Sequence, residues 1–307
     1  MTAALALLFK LAPLYLMVVL GWIAGRYLEA SGRHIAGIMM YIVLPSVVFA
    51  GVMSAPLSAE IIALPFLVMG FCSLLGLAHL VIAQRWVRDD SANMIPLTVA
   101  TGNTGYFGVP LALLLFGEEG LALYIVCMLG TTLYESSVGF YLAARGRYGV
   151  RDCLLKVVRL PALYAFFLAV VLNLAGGEIP SVLMPLFDNA RGAYIFFGMM
   201  IIGMSIVSFR GLAGNVRFTL LAFAGKFVAW PLLAGAFWLI DGQLLHIYDT
   251  AVYQAIFLIS ITPIAANSVV IATLLETAPR QVAGTALLST LFALLYIPLM
   301  ISWAFGA

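Results

Sequence analysis

The chain has 307 residues, is 64% hydrophobic and only 9% charged, and carries a formal net charge of +2. A soluble domain carries roughly 25% charged residues, so this chain cannot cover a water-soluble globule of its size, and lipid must be the solvent around most of it. Its three cysteines form no even disulfide framework, and it has no basic block of the kind that binds nucleic acid.

The first apolar run, about 4–25, is interrupted by Lys10 alone and has no basic segment before it. It is too long and wrongly flanked for a cleaved signal peptide, so it reads as the first span. Lys10 sits near one end of it and is placed to snorkel. Gly21 and Gly25 form a GxxxG pair, which serves either close helix packing or a homodimer contact through helix one. Further runs lie at about 35–53, 61–84, 93–116 and 120–143. After a basic stretch, 144–159, come 160–176, 182–208, 216–240, 251–275 and 282–305. A helix needs about 20 apolar residues to cross a bilayer. The expected fold class is therefore an all-α membrane protein with ten transmembrane helices.

The fourth run is anomalous. Gly102, Gly105 and Gly108, with Pro96 and Pro110, are poor material for a continuous helix. Asn103 and Thr104 fall near its middle. The ninth run repeats the anomaly with Pro263, Asn267 and Ser268 but no glycine. In lipid, irregular backbone is tolerated only where protein or a water-filled cavity satisfies its polar groups. Two readings follow. Either glycine and proline merely permit kinks and close packing, or the two interrupted helices meet near the midplane and present half-helix N-termini to a carboxylate. In the second reading Asn103 and Asn267 donate side-chain amide hydrogens to the substrate.

Ionisable residues inside the runs are few. Glu135 in the fifth is a candidate for proton coupling or a structural hydrogen bond. Lys226 in the eighth is placed to attract an anion, to pair with Glu135, or to snorkel. Asp188 and Arg191 are three apart in the seventh and expected to pair, with anion binding by Arg191 as the alternative. Cys72 and Cys127 lie in apolar runs and read as packing groups. His34, His79 and His246 have no metal-site spacing, and no metal or cofactor is expected.

The basic residues alternate with the runs. One set of loops holds Arg26, Arg33, Arg85, Arg88, Arg145, Arg147, Arg151, Lys156, Arg159, Arg210, Arg217 and Arg280, twelve of the 15 Lys and Arg. The opposite loops hold none, and carry Glu60, Glu118, Glu119, Glu178, Asp241 and Asp249. The positive-inside rule places the first set in the cytoplasm and both termini outside, periplasmic in a Gram-negative cell, with the chain in the cytoplasmic membrane. The basic stretch 144–159 follows five runs, an odd number. A repeated five-helix unit would insert upside down the second time, giving halves 1–143 and 160–307 as inverted repeats. Thr132-Leu133-Tyr134 and Thr290-Leu291-Phe292 form a short echo between the fifth helices.

Three segments carry a family resemblance. They are Tyr41-Ile-Val-Leu-Pro45-Ser-Val-Val-Phe49, then Gly102-Asn-Thr-Gly105 followed by Gly108-Val-Pro-Leu-Ala112, and Thr262-Pro-Ile-Ala-Ala-Asn-Ser-Val-Val270. With the ten-run hydropathy, the chain resembles the auxin efflux carrier family, which includes plant auxin exporters and bacterial malate or malonate permeases. The resemblance implies a fold like that of the bile acid/sodium symporters. It implies a scaffold from helices 1, 2, 6 and 7, a transport domain from helices 3–5 and 8–10, and an elevator-type movement. It also implies that Asn103 and Asn267 occupy the crossover of helices 4 and 9. Plant members tend to place proline directly before the helix-four asparagine, where this chain has Gly102. The expected function is secondary transport of a small carboxylate, with Gly102, Asn103, Thr104, Gly105, Pro263, Asn267, Ser268 and Pro45 at the substrate site and proton or sodium coupling open. A membrane-embedded enzyme is the first rival, although the chain has no HExxH, no GxSxG and no paired midplane carboxylates. A ligand sensor on the same scaffold is the second.

Overall fold

The computed structural model describes residues 3–30, 32–87, 89–144, 158–207 and 215–305, and positions 151 and 155. The side chains of Lys10, Arg33 and His34, the residues Arg88, Arg145, Arg147, Cys153, Lys156 and Arg210, and most of the basic stretch 144–159 lie outside the described residues.

The apolar runs become helices, as their length requires once backbone N–H and C=O groups must pair internally in lipid. In chain order they are α1 (Ala3–Tyr27), α2 (32–54), α3 (Ala59–Trp86), α4 (90–116), α5 (118–144), α6 (Pro161–Leu174), α7 (Met184–Val207), α8 (Val216–Leu245), α9 (Thr250–Ile261 and Ala266–Leu274) and α10 (Pro279–Phe305). The expected boundaries agree to within a few residues. Asp90–Ala144 is a stretch of 55 residues, helical apart from residues 101–103. At 1.5 Å per residue it would be about 80 Å long, far more than the roughly 30 Å hydrocarbon core. It turns at Gly117, whose φ of 68° and ψ of −163° suit a residue without Cβ, and this turn separates α4 from α5. By length and composition alone, five segments among the described residues are apolar enough to cross a membrane, six if the two parts of α9 count as one span.

Side-chain exposure matches a lipid solvent. Leu16 and Leu20 on α1, Phe66 and Leu74 on α3, Leu168 and Val171 on α6, and Leu295 and Trp303 on α10 are all exposed. A contiguous apolar surface of this kind marks a membrane-facing protein. By contrast α5 is enclosed, with every residue from Gly120 to Thr131 buried. The residues from Tyr253 to Ala265 in α9 are enclosed almost as completely.

Helices α1 and α7 form the most extensive pair, and α2 packs on α6 and α7. The α1–α7 seam is closed by small residues. A Cβ on Gly21 would lie 2.0 Å from the Met200 carbonyl oxygen, and one on Gly203 would lie 1.9 Å from that of Val18. Gly25 faces Met204. The GxxxG pair is thus used within the chain, so a homodimer would need another face. On the other side α3 packs on α4 and α5, α9 packs on α5 and α8, and α10 packs on both parts of α9.

The Asn173 side chain, near the end of α6, ties down the end of α2. Its Nδ2 donates to the carbonyls of Val52 at 3.1 Å, Met53 at 2.9 Å and Ala55 at 3.1 Å. These carbonyls belong to a helix end, where the last C=O groups have no partner within the helix. Asn173→Ala is expected to cost about 1–3 kcal/mol, the penalty for leaving such groups unpaired. The check is a lowered thermal midpoint with unchanged ligand affinity.

Asp89 plays a similar part between α3 and α4. Its carboxylate accepts from Ser91 N at 2.9 Å and from Asn215 Nδ2 at 2.8 Å, with a further contact from the Ser91 hydroxyl. Burial pushes this carboxyl up, but the hydrogen bonds from Ser91 and Asn215 outweigh it and hold the group below the usual carboxylate range. With the folded value depressed, the unfolded chain binds the proton more readily, so stability rises with pH across this titration. The contribution is fully present above the unfolded value of about 3.9 and is lost as pH falls through the lower folded value. Asp89→Asn is expected to flatten this acid limb in melting curves taken against pH.

Candidate functional site

Two helices lose their regular backbone at the centre of the molecule. In α4 the segment Ile95–Ala100 is followed by non-helical residues 101–103, and the chain resumes as a π-turn at Thr104–Gly108. Thr101 closes the first segment by donating both N–H, at 3.0 Å, and hydroxyl, at 2.6 Å, to the Leu97 carbonyl. In α9 the segment Thr250–Ile261 stops where Pro263 removes an N–H and holds Thr262 extended, with ψ at 151°. The second segment starts at Ala266, bent from the first by 52°.

The two interruptions touch. Asn103 N–H donates to the Pro263 carbonyl at 2.7 Å, and the Thr101 and Ser268 hydroxyls are 3.3 Å apart. Gly102 is required by this approach, because a Cβ there would lie 2.2 Å from Thr262 Oγ1 and 2.8 Å from Lys226 Nζ. Gly105 and Gly108 are equally tight, against the hydroxyls of Tyr194 and Tyr124. The Tyr124 hydroxyl donates to the Thr104 carbonyl at 2.9 Å. The Thr104 hydroxyl meets that of Thr131 at 3.2 Å.

A small cavity, of about 60 Å³, opens beside this contact. Gly102, Asn103, Thr104 and Gly105 line it from α4, Glu135 from α5, and Asn267 from α9. Glu135 and Asn267 thus share one wall of the cavity. Neither the segment starting at Thr104 nor the one starting at Ala266 has a side-chain cap, and the first residues of both, Thr104 and Gly105 in α4 and Ala266 and Asn267 in α9, line the cavity. Such helix starts carry a partial positive charge and suit an anion.

Other expected residues stand elsewhere. Ser268 and Pro263 lie behind the wall, bonded to Thr101 and Asn103 as described. Pro45 is not on the wall, although Met40 and Leu44 of the same helix are. Lys226 is completely buried and makes no ion pair with Glu135; its Nζ lies 3.5 Å from the Ile259 carbonyl. Arg191 pairs with Asp188 at 2.9 Å and also with Glu118. That places it at the α4–α5 turn and away from the cavity.

Sequence reasoning missed the aromatic side of the cavity. Tyr106 and Tyr194 line it with ring centroids 5.6 Å apart, together with Met128, Thr131 and Thr132. Tyr194 comes from α7, and nothing in its sequence neighbourhood marks which face of that helix looks inward. A larger gap lies between the α2–α3, α4–α5 and α8–α9 connections. Glu119 and Asp249 wall it.

Residues 6–152 match the family model described as membrane transport protein. A protein of Methanocaldococcus jannaschii described as an uncharacterized transporter is 28% identical over 296 residues, covering 92% of this chain and 94% of that protein. An uncharacterized transporter of Methanothermobacter thermautotrophicus is 29% identical over 229 residues, covering 72% of each chain. The resemblance to a transporter family, drawn from three segments and the ten-run hydropathy, is borne out by these matches.

Proposed function

We propose that this chain, similar to the membrane transport protein family over residues 6–152, is a secondary transporter of a small organic anion. The observation that carries the reading is the pair of uncapped helix starts, with Asn103 and Asn267 beside them, on one cavity between α4, α5 and α9. A carboxylate bound there would accept from backbone N–H groups and from both side-chain amides. Tyr106 and Tyr194 would cover its organic part. Malonate, malate and auxin-like aromatic acids all fit this description.

The two interruptions fall in the fourth helix of each five-helix half, which supports the inverted-repeat reading. The packing of α1 on α7 and of α2 on α6 and α7 supports a scaffold of these four helices. The remaining six would carry the site across the membrane as an elevator. The basic ends of the helices support cytoplasmic placement of the connections after α1, α3, α5, α7 and α9, with both termini outside.

A thermal-shift screen of malonate, malate and indole acetate, with and without sodium and across pH, tests this reading. A ligand bound by the native state raises its apparent stability by mass action. At least one carboxylate is expected to raise the midpoint. Stabilisation by organic cations and by no carboxylate would contradict the proposal, and turnover of a stabilising ligand by purified protein would favour an enzyme instead.

A further inference from the structure

The proposed anion contacts leave one acidic side chain of the cavity wall without a role. Glu135 lines the cavity, as do Met128, Thr131 and Thr132 of the same helix. Residues at i, i+3, i+4 and i+7 lie on one face of a helix, so this face of α5 looks into the cavity and Glu135 ends it. There α5 widens into a π-turn, Glu135–Gly139, an irregularity frequent at functional sites. Asn103 of α4 and Asn267 of α9 line the same space.

Among the described ion pairs none offsets this carboxyl, and Arg191 is held by Asp188 and Glu118. Lys226 of α8 is off the wall, behind Gly102, where a Cβ would lie 2.8 Å from its Nζ. Cys72 of α3, within electrostatic range of Glu135, donates its thiol to the Ala100 carbonyl at 3.2 Å. His79 of α3 bonds the Leu75 carbonyl through Nδ1 at 2.9 Å. Tyr134, the neighbour of Glu135 in α5, donates to the Pro96 carbonyl at 3.1 Å. Tyr106 and Tyr194 face the cavity from α4 and α7, and the wall residues of α9, Ala265, Ala266 and Asn267, bear no charge.

The cavity measures about 60 Å³, and one water takes up about 10–15 Å³ of such space, so it holds a few water-sized groups. A carboxylate bound by both asparagines therefore lies against the Glu135 carboxyl, with no layer of water between them. Of two carboxyl groups sharing a site, one is driven to hold a proton. An ionised carboxylate accepts hydrogen bonds and donates none, whereas a protonated carboxyl has an O–H to give. The two groups match when Glu135 carries the proton.

We infer that Glu135 binds the anion as the protonated acid, donating its O–H to it, so that the anion and one proton occupy the site together. The proton comes from water whenever the empty site has lost its own, and a monocarboxylate then loads with no change in net charge. This rests on the anion-transport reading and adds the proton to it.

The experiment measures the affinity of the purified full chain for malonate, with malate and indole acetate as further probes. It runs from about pH 7, where all three are ionised, to about pH 9.5, above the values of about 8–9 that buried carboxyls reach. Wild-type affinity is expected to fall as pH rises, approaching tenfold per unit at the alkaline end. Glu135→Gln keeps a donor but has no proton to lose. It is expected to bind nearly as tightly as wild type at the acid end, and equally at both ends. Glu135→Ala lacks the donor and is expected to bind about tenfold more weakly at the acid end, again without a slope. Lys226→Met is expected to keep the wild-type slope, and a slope lost there but kept in Glu135→Gln overturns the inference. In weak buffer at the alkaline end, malonate binding to wild type is expected to turn the medium more alkaline as protons are taken up, a reading that needs no variant. Flat wild-type affinity, or binding without proton uptake, overturns this inference alone and leaves the anion reading standing. Failure of wild type to bind any of the three at any pH overturns the anion reading and this inference with it.

Discussion

Joint replacement of Asn103 and Asn267 by alanine is expected to lower anion affinity and transport by about 100-fold or more, in a protein that still folds. Each amide is assigned one hydrogen bond to a carboxylate, and hydrogen bonds to charged groups are worth about 1.5–3 kcal/mol. Each 1.4 kcal/mol is a factor of ten. The fold should survive because the backbone contact between the interruptions does not use these side chains. It runs from Asn103 N–H to the Pro263 carbonyl, and the Asn103 side chain caps no helix. Uptake into proteoliposomes, with gel filtration in detergent as the control for folding, reads both quantities. Unchanged uptake in the double variant would place the substrate elsewhere.

The second large effect is on assembly of the helices. Gly203→Ala is expected to cost about 3 kcal/mol or more, at the upper end for overpacking. Its new Cβ would lie 1.9 Å from the Val18 carbonyl oxygen and 2.6 Å from the Trp22 nitrogen, both in the α1 backbone. A side chain could rotate away, but backbone atoms of a packed helix cannot. The α1–α7 pair must therefore separate along its length. Gly235→Ala is the matched control. It is also a glycine inside a helix, yet a Cβ there meets nothing within 4 Å. Alanine is favoured over glycine in helices by up to about 1 kcal/mol, so that variant is expected to be neutral or slightly stabilised. Equal melting of the two variants would mean that the seam does not hold the scaffold together.

Much of the architecture could be read before the structure because lipid leaves so few choices. Ten apolar runs, separated by charged or proline-bearing breaks, become ten helices with ends close to those expected. The sequence also explains why helical backbone stops after Ala100 and after Ile261, through Gly102 and Pro263. What it could not show is direction. Gly21 and Gly25 serve equally well against a second copy or against α7, and only the packing reveals Met200 and Met204 as their neighbours. Arg191 was expected to meet Asp188, but its other partner, Glu118, is 73 residues away across the α4–α5 turn. Lys226 had three plausible fates by its depth alone. The π-turn that aims it at the Ile259 carbonyl has no signature in residue spacing. Tyr106 and Tyr194 were invisible for the same reason, since an aromatic on an apolar helix gives no sign of which side holds a cavity.

The central claim is that an anion is carried through the membrane at the cavity of Asn103 and Asn267. Counterflow in proteoliposomes tests it most directly, with vesicles loaded with the carboxylate that best stabilises the protein and the labelled anion supplied outside. The account predicts saturable accumulation of label that disappears in vesicles carrying the double alanine variant. Tight binding of the same anion by wild type without any flux would contradict it, and would leave a sensor in place of a carrier.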